Sequence, residues 1–133
     1  GMTGHQQNPT TGYNIKGEPA TAVDLEALCH AIGINRVSVV DPYDLKEVTR
    51  VLKEELAAEE PSVIISRRPC ALLKYVKHNP PLSVDQDKCI GCKACLGIGC
   101  PAISYRNGKA VIDGTQCVGC GVCKALCPKG AIG

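Results

Sequence analysis

The chain has 133 residues, enough for one compact domain or two small ones, and a formal net charge of +2 with both signs interspersed. That balance gives no reason to expect nucleic acid or an anionic membrane as partner. No apolar run approaches the roughly 20 residues needed to cross a bilayer, and no signal-peptide pattern opens the chain, so the expectation is a soluble, cytoplasmic protein.

Large core residues are scarce: there are four Tyr, no Trp and no Phe, against ten Cys. Residues 1–20 show little periodicity, and a stretch of that length is expected to be functional or disordered. From Thr21 a helical pattern begins. Thr21 with Asp24 resembles a capping box, Leu25, Leu28, Cys29 and Ile32 follow at helical spacing, and Gly33 suits the C-terminal cap. Val37-Ser38-Val39-Val40 reads as a strand ending at Asp41-Pro42. A second helix is expected from Asp44, with Leu45, Val48, Leu52 and Leu56 inward and Lys46, Glu47, Arg50, Lys53 and Glu54 outward. Val63-Ile64-Ile65 is a short apolar strand of the kind covered on both faces.

Helix–strand–helix–strand at these lengths predicts part of a parallel α/β sheet. Two strands cannot make a doubly covered sheet. The neighbouring strands are therefore expected from elsewhere, and the apolar edge left behind invites self-association or a partner. Asn79-Pro80-Pro81 favours an extended link and sets the expected boundary between residues 1–81 and 82–133.

Eight of the ten cysteines fall after that boundary, inside an internal repeat. Asp87-Lys88-Cys89-Ile90-Gly91-Cys92-Lys93-Ala94-Cys95 is echoed by Thr115-Gln116-Cys117-Val118-Gly119-Cys120-Gly121-Val122-Cys123. Cys100-Pro101 is echoed by Cys127-Pro128, and between the repeats Asn107-Gly108 marks a type I′ hairpin spanning Ser104 to Ile112.

Three cysteines at i, i+3 and i+6 on a turning loop supply three corners of an iron–sulfur cube, and a distant Cys before Pro supplies the fourth. In two-cluster ferredoxins that fourth Cys serves the other cluster. The assignment is therefore Cys89, Cys92, Cys95 and Cys127 to one [4Fe–4S] cluster, and Cys100, Cys117, Cys120 and Cys123 to the second. Cys95 and Cys100 are separated by Leu96-Gly97-Ile98-Gly99, one residue more than separates Cys123 from Cys127, and the two glycines are expected to absorb it. Zinc sites use separated Cys pairs instead. Residues 82–133 also fall below the roughly 70–80 residues at which an apolar core suffices alone, so the clusters would act as staples. The fold class expected overall is a partial parallel α/β layer followed by an α+β, bacterial-type 2[4Fe–4S] ferredoxin-like domain.

The other chemistry-bearing residues read more plainly. Cys29 is expected to serve packing and Cys70 either packing or a role near a cofactor or cluster, His30 and His78 to lie at the surface, and Arg67 and Arg68 to be solvated or phosphate-facing. In residues 82–133, Lys88, Lys93, Arg106, Lys109, Lys124 and Lys129 outnumber Asp85, Asp87 and Asp113, a surplus suited to guiding an acidic protein.

Met2-Thr3-Gly4-His5-Gln6 with Asn8-Pro9, then Val39-Val40-Asp41-Pro42-Tyr43 and Ser66-Arg67-Arg68-Pro69-Cys70, resembles the alpha subunit of indolepyruvate:ferredoxin oxidoreductase. The resemblance covers essentially the whole chain. It implies thiamine diphosphate and Mg²⁺ in the complete enzyme, decarboxylation of arylpyruvates, transfer of the acyl group to coenzyme A, and electron delivery through the clusters to an external ferredoxin. It also implies that residues 1–81 are the closing part of a thiamine diphosphate-binding domain, with Thr3, Gly4, His5 and Gln6 on a cofactor-side loop. The family's diphosphate motif, Gly-Asp-Gly followed by Asn, does not occur here. The chain is thus expected to need a partner that carries the thiamine-binding half, and not to catalyse alone. The alternative is an independent ferredoxin-like electron carrier whose α/β half is a docking module; redox activity separates both from a purely structural metal protein.

Overall fold

A computed structural model describes residues 7–71, 73 and 75–133. The chain divides into two units, the first ending at Val76 and the second beginning at Lys77.

The first unit opens with turns fixed by asparagines. Asn8 Oδ1 accepts from the Thr10 N–H at 2.9 Å, and Asn14 Oδ1 accepts from the N–H groups of Lys16 and Glu18 at 2.9 and 3.0 Å. These side chains replace the missing backbone ladder, so the segment from Gln7 to Ala20 is ordered without periodicity. Helix α1 spans Leu25–Ala31, and its N-cap is Asp24, whose carboxylate accepts the Ala27 N–H at 3.0 Å. The capping box expected from Thr21 therefore does not form: Asp24 reaches the third helical N–H by itself and starts the helix three residues later. Gly33, at φ +93°, closes the other end by donating to the His30 carbonyl.

Strand β1 (Arg36–Val40), helix α2 (Leu45–Leu56) and strand β2 (Ser62–Ser66) follow, and the strands pair in parallel from Arg36↔Ser62 to Val40↔Ser66. Asp44 caps α2 by accepting the Glu47 N–H at 3.1 Å. Val40 and Val51 are the buried residues of this crossover. The inward face of α2 runs through Leu45, Val48, Val51 and Glu55. Leu52 and Leu56, expected inward, are 43% and 83% exposed. A helix lying on two strands has no third strand on which to rest its far apolar edge, so those leucines face outward. For the same reason Val63, Ile64 and Ile65 are half-buried, and α1 buries no residue fully. Cys29, expected as a core thiol, is half-buried with Leu28 and Ile32 exposed beside it.

Glu55 occupies an inward position because β1 supplies its partners. Arg36 donates through Nε at 2.9 Å and Nη2 at 3.2 Å, and Ser38 Oγ donates at 3.3 Å. The two-point guanidinium contact holds the Glu55 carboxyl below the usual carboxylate range.

The second unit is stitched end to end. Ser83 and Gly133 exchange backbone hydrogen bonds, and Val84 bridges Ile132. A 3₁₀ helix (Ala94–Ile98), hairpin strands β3 (Ile103–Arg106) and β4 (Lys109–Ile112), and helix α3 (Val122–Leu126) lie between. Asn107 and Gly108 both have positive φ, the I′ geometry that matches strand twist. The core is made of small side chains and sulfur: Cys95, Ala110, Cys123 and Ile132, with Val84, Ile98, Ile103 and Ile112 around them. Its interior is organised about thiols, not about bulky apolar groups.

Candidate metal centre

Both cysteine loops turn by the same device. Gly91 and Lys93 have φ of 68° and 63°, and their counterparts Gly119 and Gly121 have 63° and 82°. Two left-handed residues in each loop curl the backbone so that thiols three residues apart turn to one side. Ahead of each loop an aspartate anchors a turn. Cys89 N–H donates to the Asp85 carbonyl at 3.0 Å, and Cys117 N–H to the Asp113 carbonyl at 3.1 Å. The Asp85 carboxylate accepts from the Asp87 and Lys88 N–H groups, and that of Asp113 from the Thr115 N–H and hydroxyl. Sequence reasoning missed this pair. Extending the repeat two residues upstream would have aligned Asp85 with Asp113.

Cys127 joins the first loop, not its own. Cys89, Cys92, Cys95 and Cys127 line one cavity together with Gly91, Ala94, Ala110 and Ala131. Burial pushes the Cys95 thiol up, and the neighbouring thiols of Cys127, Cys92 and Cys89 add to the effect. Cys89 goes the other way: the Ala110 and Gly91 backbone N–H groups aimed at its sulfur pull it below the usual thiol value, assisted by Lys109. In the second set, burial raises the Cys123 thiol, and Cys120, Cys117 and Cys100 are its interacting neighbours.

The extra residue before Cys100 is absorbed in a 3₁₀ turn. Gly99, at φ +64°, donates to the Leu96 carbonyl at 3.0 Å and ends that turn, whereas α3 runs directly into Cys127. The first cavity therefore draws three thiols from one repeat and one from the other.

The donor chemistry fits an iron–sulfur cluster. Each set is made of thiols alone, Gly91, Ala94, Ala110 and Ala131 border the space at the first, and backbone N–H groups point at sulfur: Leu82 to Cys117 at 3.4 Å and Ala131 to Cys127 at 3.3 Å. Among the described residues no three or more His, Cys, Asp or Glu side chains converge so as to hold a single metal ion. The first set of thiols borders a cavity instead.

In the first unit, Thr3, Gly4, His5 and Gln6 lie outside the described residues. A wide groove next to Asn8 is bordered by Thr11, Asp24, Glu26, Arg67 and Cys70. Arg67 pairs with Glu26 at 2.8 Å; Arg68 pairs with Asp41 and stacks over the Tyr43 ring at 4.0 Å. Both guanidinium groups are exposed, as expected of solvated residues, and each also pairs with a carboxylate of its own unit. His30 is exposed, with Nδ1 2.9 Å from the Ile34 carbonyl, and His78 is exposed as well. Among the described residues no helix is long and apolar enough to cross a membrane.

Comparison with known proteins agrees with this geometry. Residues 81–128 match the family model for a 4Fe-4S dicluster domain, and residues 1–66 match the C-terminal TPP-binding domain of thiamine pyrophosphate enzymes. The class is therefore that of a 4Fe-4S dicluster domain following a C-terminal thiamine-enzyme segment. The chain is, more particularly, a relative of indolepyruvate oxidoreductase subunit IorA along nearly all its length. It is 42% identical to that of Pyrococcus horikoshii over 98% of this chain, 41% to that of Thermococcus kodakarensis over 96%, and 37% to that of Archaeoglobus fulgidus over 99%. It spans about a fifth of the length of these relatives (21% to 22%).

Proposed function

We propose that the chain carries electrons out of a thiamine diphosphate-dependent 2-oxoacid:ferredoxin oxidoreductase of the indolepyruvate type. Cys89, Cys92, Cys95 and Cys127 hold one [4Fe–4S] cluster, and Cys100, Cys117, Cys120 and Cys123 hold the other. The observation that carries the reading is the gathering of Cys127 round the first loop's cavity. When bound, such clusters accept and release single electrons. The protein's share is to supply thiolates, to offset their charge with the N–H groups of Leu82, Gly91, Ala110 and Ala131, and to hold the two sets close together through the exchanged cysteines.

In this reading residues 1–81 are the closing part of a thiamine-binding domain, and Thr3–Gln6 belong to its cofactor-side loop. Thiamine diphosphate and Mg²⁺ act in the complete enzyme on an arylpyruvate, with a partner bearing the rest of the thiamine site and an external ferredoxin as acceptor. The relatives' name and the thiamine-enzyme match to residues 1–66 support that context. The test is anaerobic reconstitution with iron and sulfide. About eight iron and eight sulfide per chain, with brown absorption that dithionite bleaches, are expected. Stoichiometric zinc without sulfide would sink the reading.

A further inference from the structure

The two cysteine loops repeat in backbone but not in surroundings. In the second loop Val118 and Cys120 are half-buried, and Gly119 is buried beneath the Asn79 and Pro80 backbone. In the first loop Ile90, the counterpart of Val118, is 61% exposed, and Cys92, the counterpart of Cys120, is exposed too. Charge differs at the same places. Lys93 stands where the other loop has Gly121, and the residue after Cys-Pro is Lys129 in one repeat and Ala102 in the other. Ile90, Cys92, Lys93 and Lys129 line the same cavity as the first thiol set.

Lys93 keeps a long side chain at φ +63°, a backbone region in which glycine is at ease. Its ammonium lies 4.8 Å from the Tyr105 ring centroid, which holds the charge at this face. Neither Lys93 nor Lys129 has an ion-pair partner among the described residues, while Asp85 is taken by Lys88 at 3.0 Å. An exposed apolar residue with a basic rim, over thiols that hold a redox group, has the anatomy of a small electron-transfer interface.

We propose that the face formed by Ile90, Cys92, Lys93 and Lys129 docks an acidic one-electron carrier protein, and that electrons leave through the first thiol set. The proposal rests on the reading of both sets as cluster ligands. One electron passes from the reduced centre at Cys89, Cys92, Cys95 and Cys127 to the oxidised cluster of the carrier; no proton or group moves. The second set, covered by the segment 79–82, is the inner relay.

The test uses the full chain, reconstituted anaerobically, reduced with dithionite, freed of excess reductant and mixed in stopped flow with an oxidised acidic 2[4Fe–4S] ferredoxin. The transfer rate is expected to fall about tenfold or more as salt rises from about 20 to about 300 mM. The double variant Lys93→Glu/Lys129→Glu should lose about tenfold at low salt and flatten that dependence. The charge-matched Lys46→Glu/Lys53→Glu on α2 should stay within about twofold of the parent. Affinity for a gallium-substituted form of the same ferredoxin, which takes no electron, should weaken in parallel in the first pair alone. Equal effects of the two pairs, or a flat salt dependence with full iron, sulfide and bleaching, would overturn the docking surface alone. A parent chain that holds no sulfide-bearing cluster would overturn the functional reading, and this proposal with it.

Discussion

Gly119 lies under the Pro80 carbonyl: a Cβ on this glycine would stand 2.5 Å from that oxygen and 2.7 Å from the Asn79 carbonyl oxygen. The same glycine sits at φ +63°, and its own carbonyl accepts from Asn79 Nδ2 at 3.3 Å. Backbone rather than a flexible side chain fills the space, so nothing nearby can give way cheaply. Gly119→Ala should destabilise the second unit by at least about 2 kcal/mol and lower its iron content. Gly97→Ala, with open space about its Cβ and no positive φ, should be nearly silent. Thermal unfolding of the reconstituted chain, read at the iron–sulfur absorption, compares the two.

At Lys93 two terms oppose each other. Removing the side chain relieves a left-handed backbone cost of about 1 kcal/mol and forfeits a cation–π contact with Tyr105 of about 0.5–1 kcal/mol. Lys93→Gly should therefore leave stability within about 0.5 kcal/mol of the parent. Lys93→Val, which loses the contact and cannot easily take positive φ, should lower it clearly. Denaturant titration of both variants checks the difference.

The Arg36–Glu55 pair gives the first unit a pH signature. Glu55, with a side chain 8% exposed, is held below its ordinary value when folded, chiefly by the Arg36 hydrogen bonds. A depressed carboxyl contributes stability above its unfolded pKa, and that contribution is lost as pH falls through the folded value. Glu55→Gln should be less stable than the parent at neutral pH, with the gap closing as the pH drops below the ordinary carboxylate range. Hydrogen exchange of the β1 amides over a pH series is the measurement; a gap that widens in acid would contradict the pairing.

Leu28, Ile32, Leu52 and Leu56 leave apolar surface on both helices of the first unit, at 51%, 69%, 43% and 83% exposure. Exposed apolar stripes of this kind favour association. The isolated chain is expected to self-associate through them. In sedimentation velocity, Ile32→Lys/Leu56→Lys should shift the chain toward monomer, while Ile90→Ser on the second unit should leave its association unchanged.

The sequence made the second unit legible because its constraints are local and chemical. A cysteine triplet needs a turning loop, Asn-Gly needs a hairpin, and both formed where spacing placed them. The placing of Cys127 beside the first loop rests on the rule that a Cys before Pro serves the other cluster, and Cys127 borders the first loop's cavity. The first unit was harder to read. Its strands and parallel pairing followed from periodicity, but periodicity reports which face is apolar and not whether anything covers it. Leu52 and Leu56 have the right spacing and no strand beneath them, whereas Glu55, an apparent surface residue, lies inward because Arg36 and Ser38 reach it. Asn8 and Asn14 order the opening through side-chain turns that carry no period at all.

The exchange of the fourth cysteine between repeats is tested most directly by two double variants that each remove two thiols. Cys89→Ala/Cys127→Ala takes both from the set that lines the first cavity and leaves Cys100, Cys117, Cys120 and Cys123 intact. It should retain about four iron and four sulfide per chain, as one complete cluster. Cys89→Ala/Cys100→Ala takes one thiol from each set and should retain no complete four-thiolate site. If the second variant instead keeps a full cluster and the first loses both, each repeat ligates its own cluster, and the crossed arrangement is wrong.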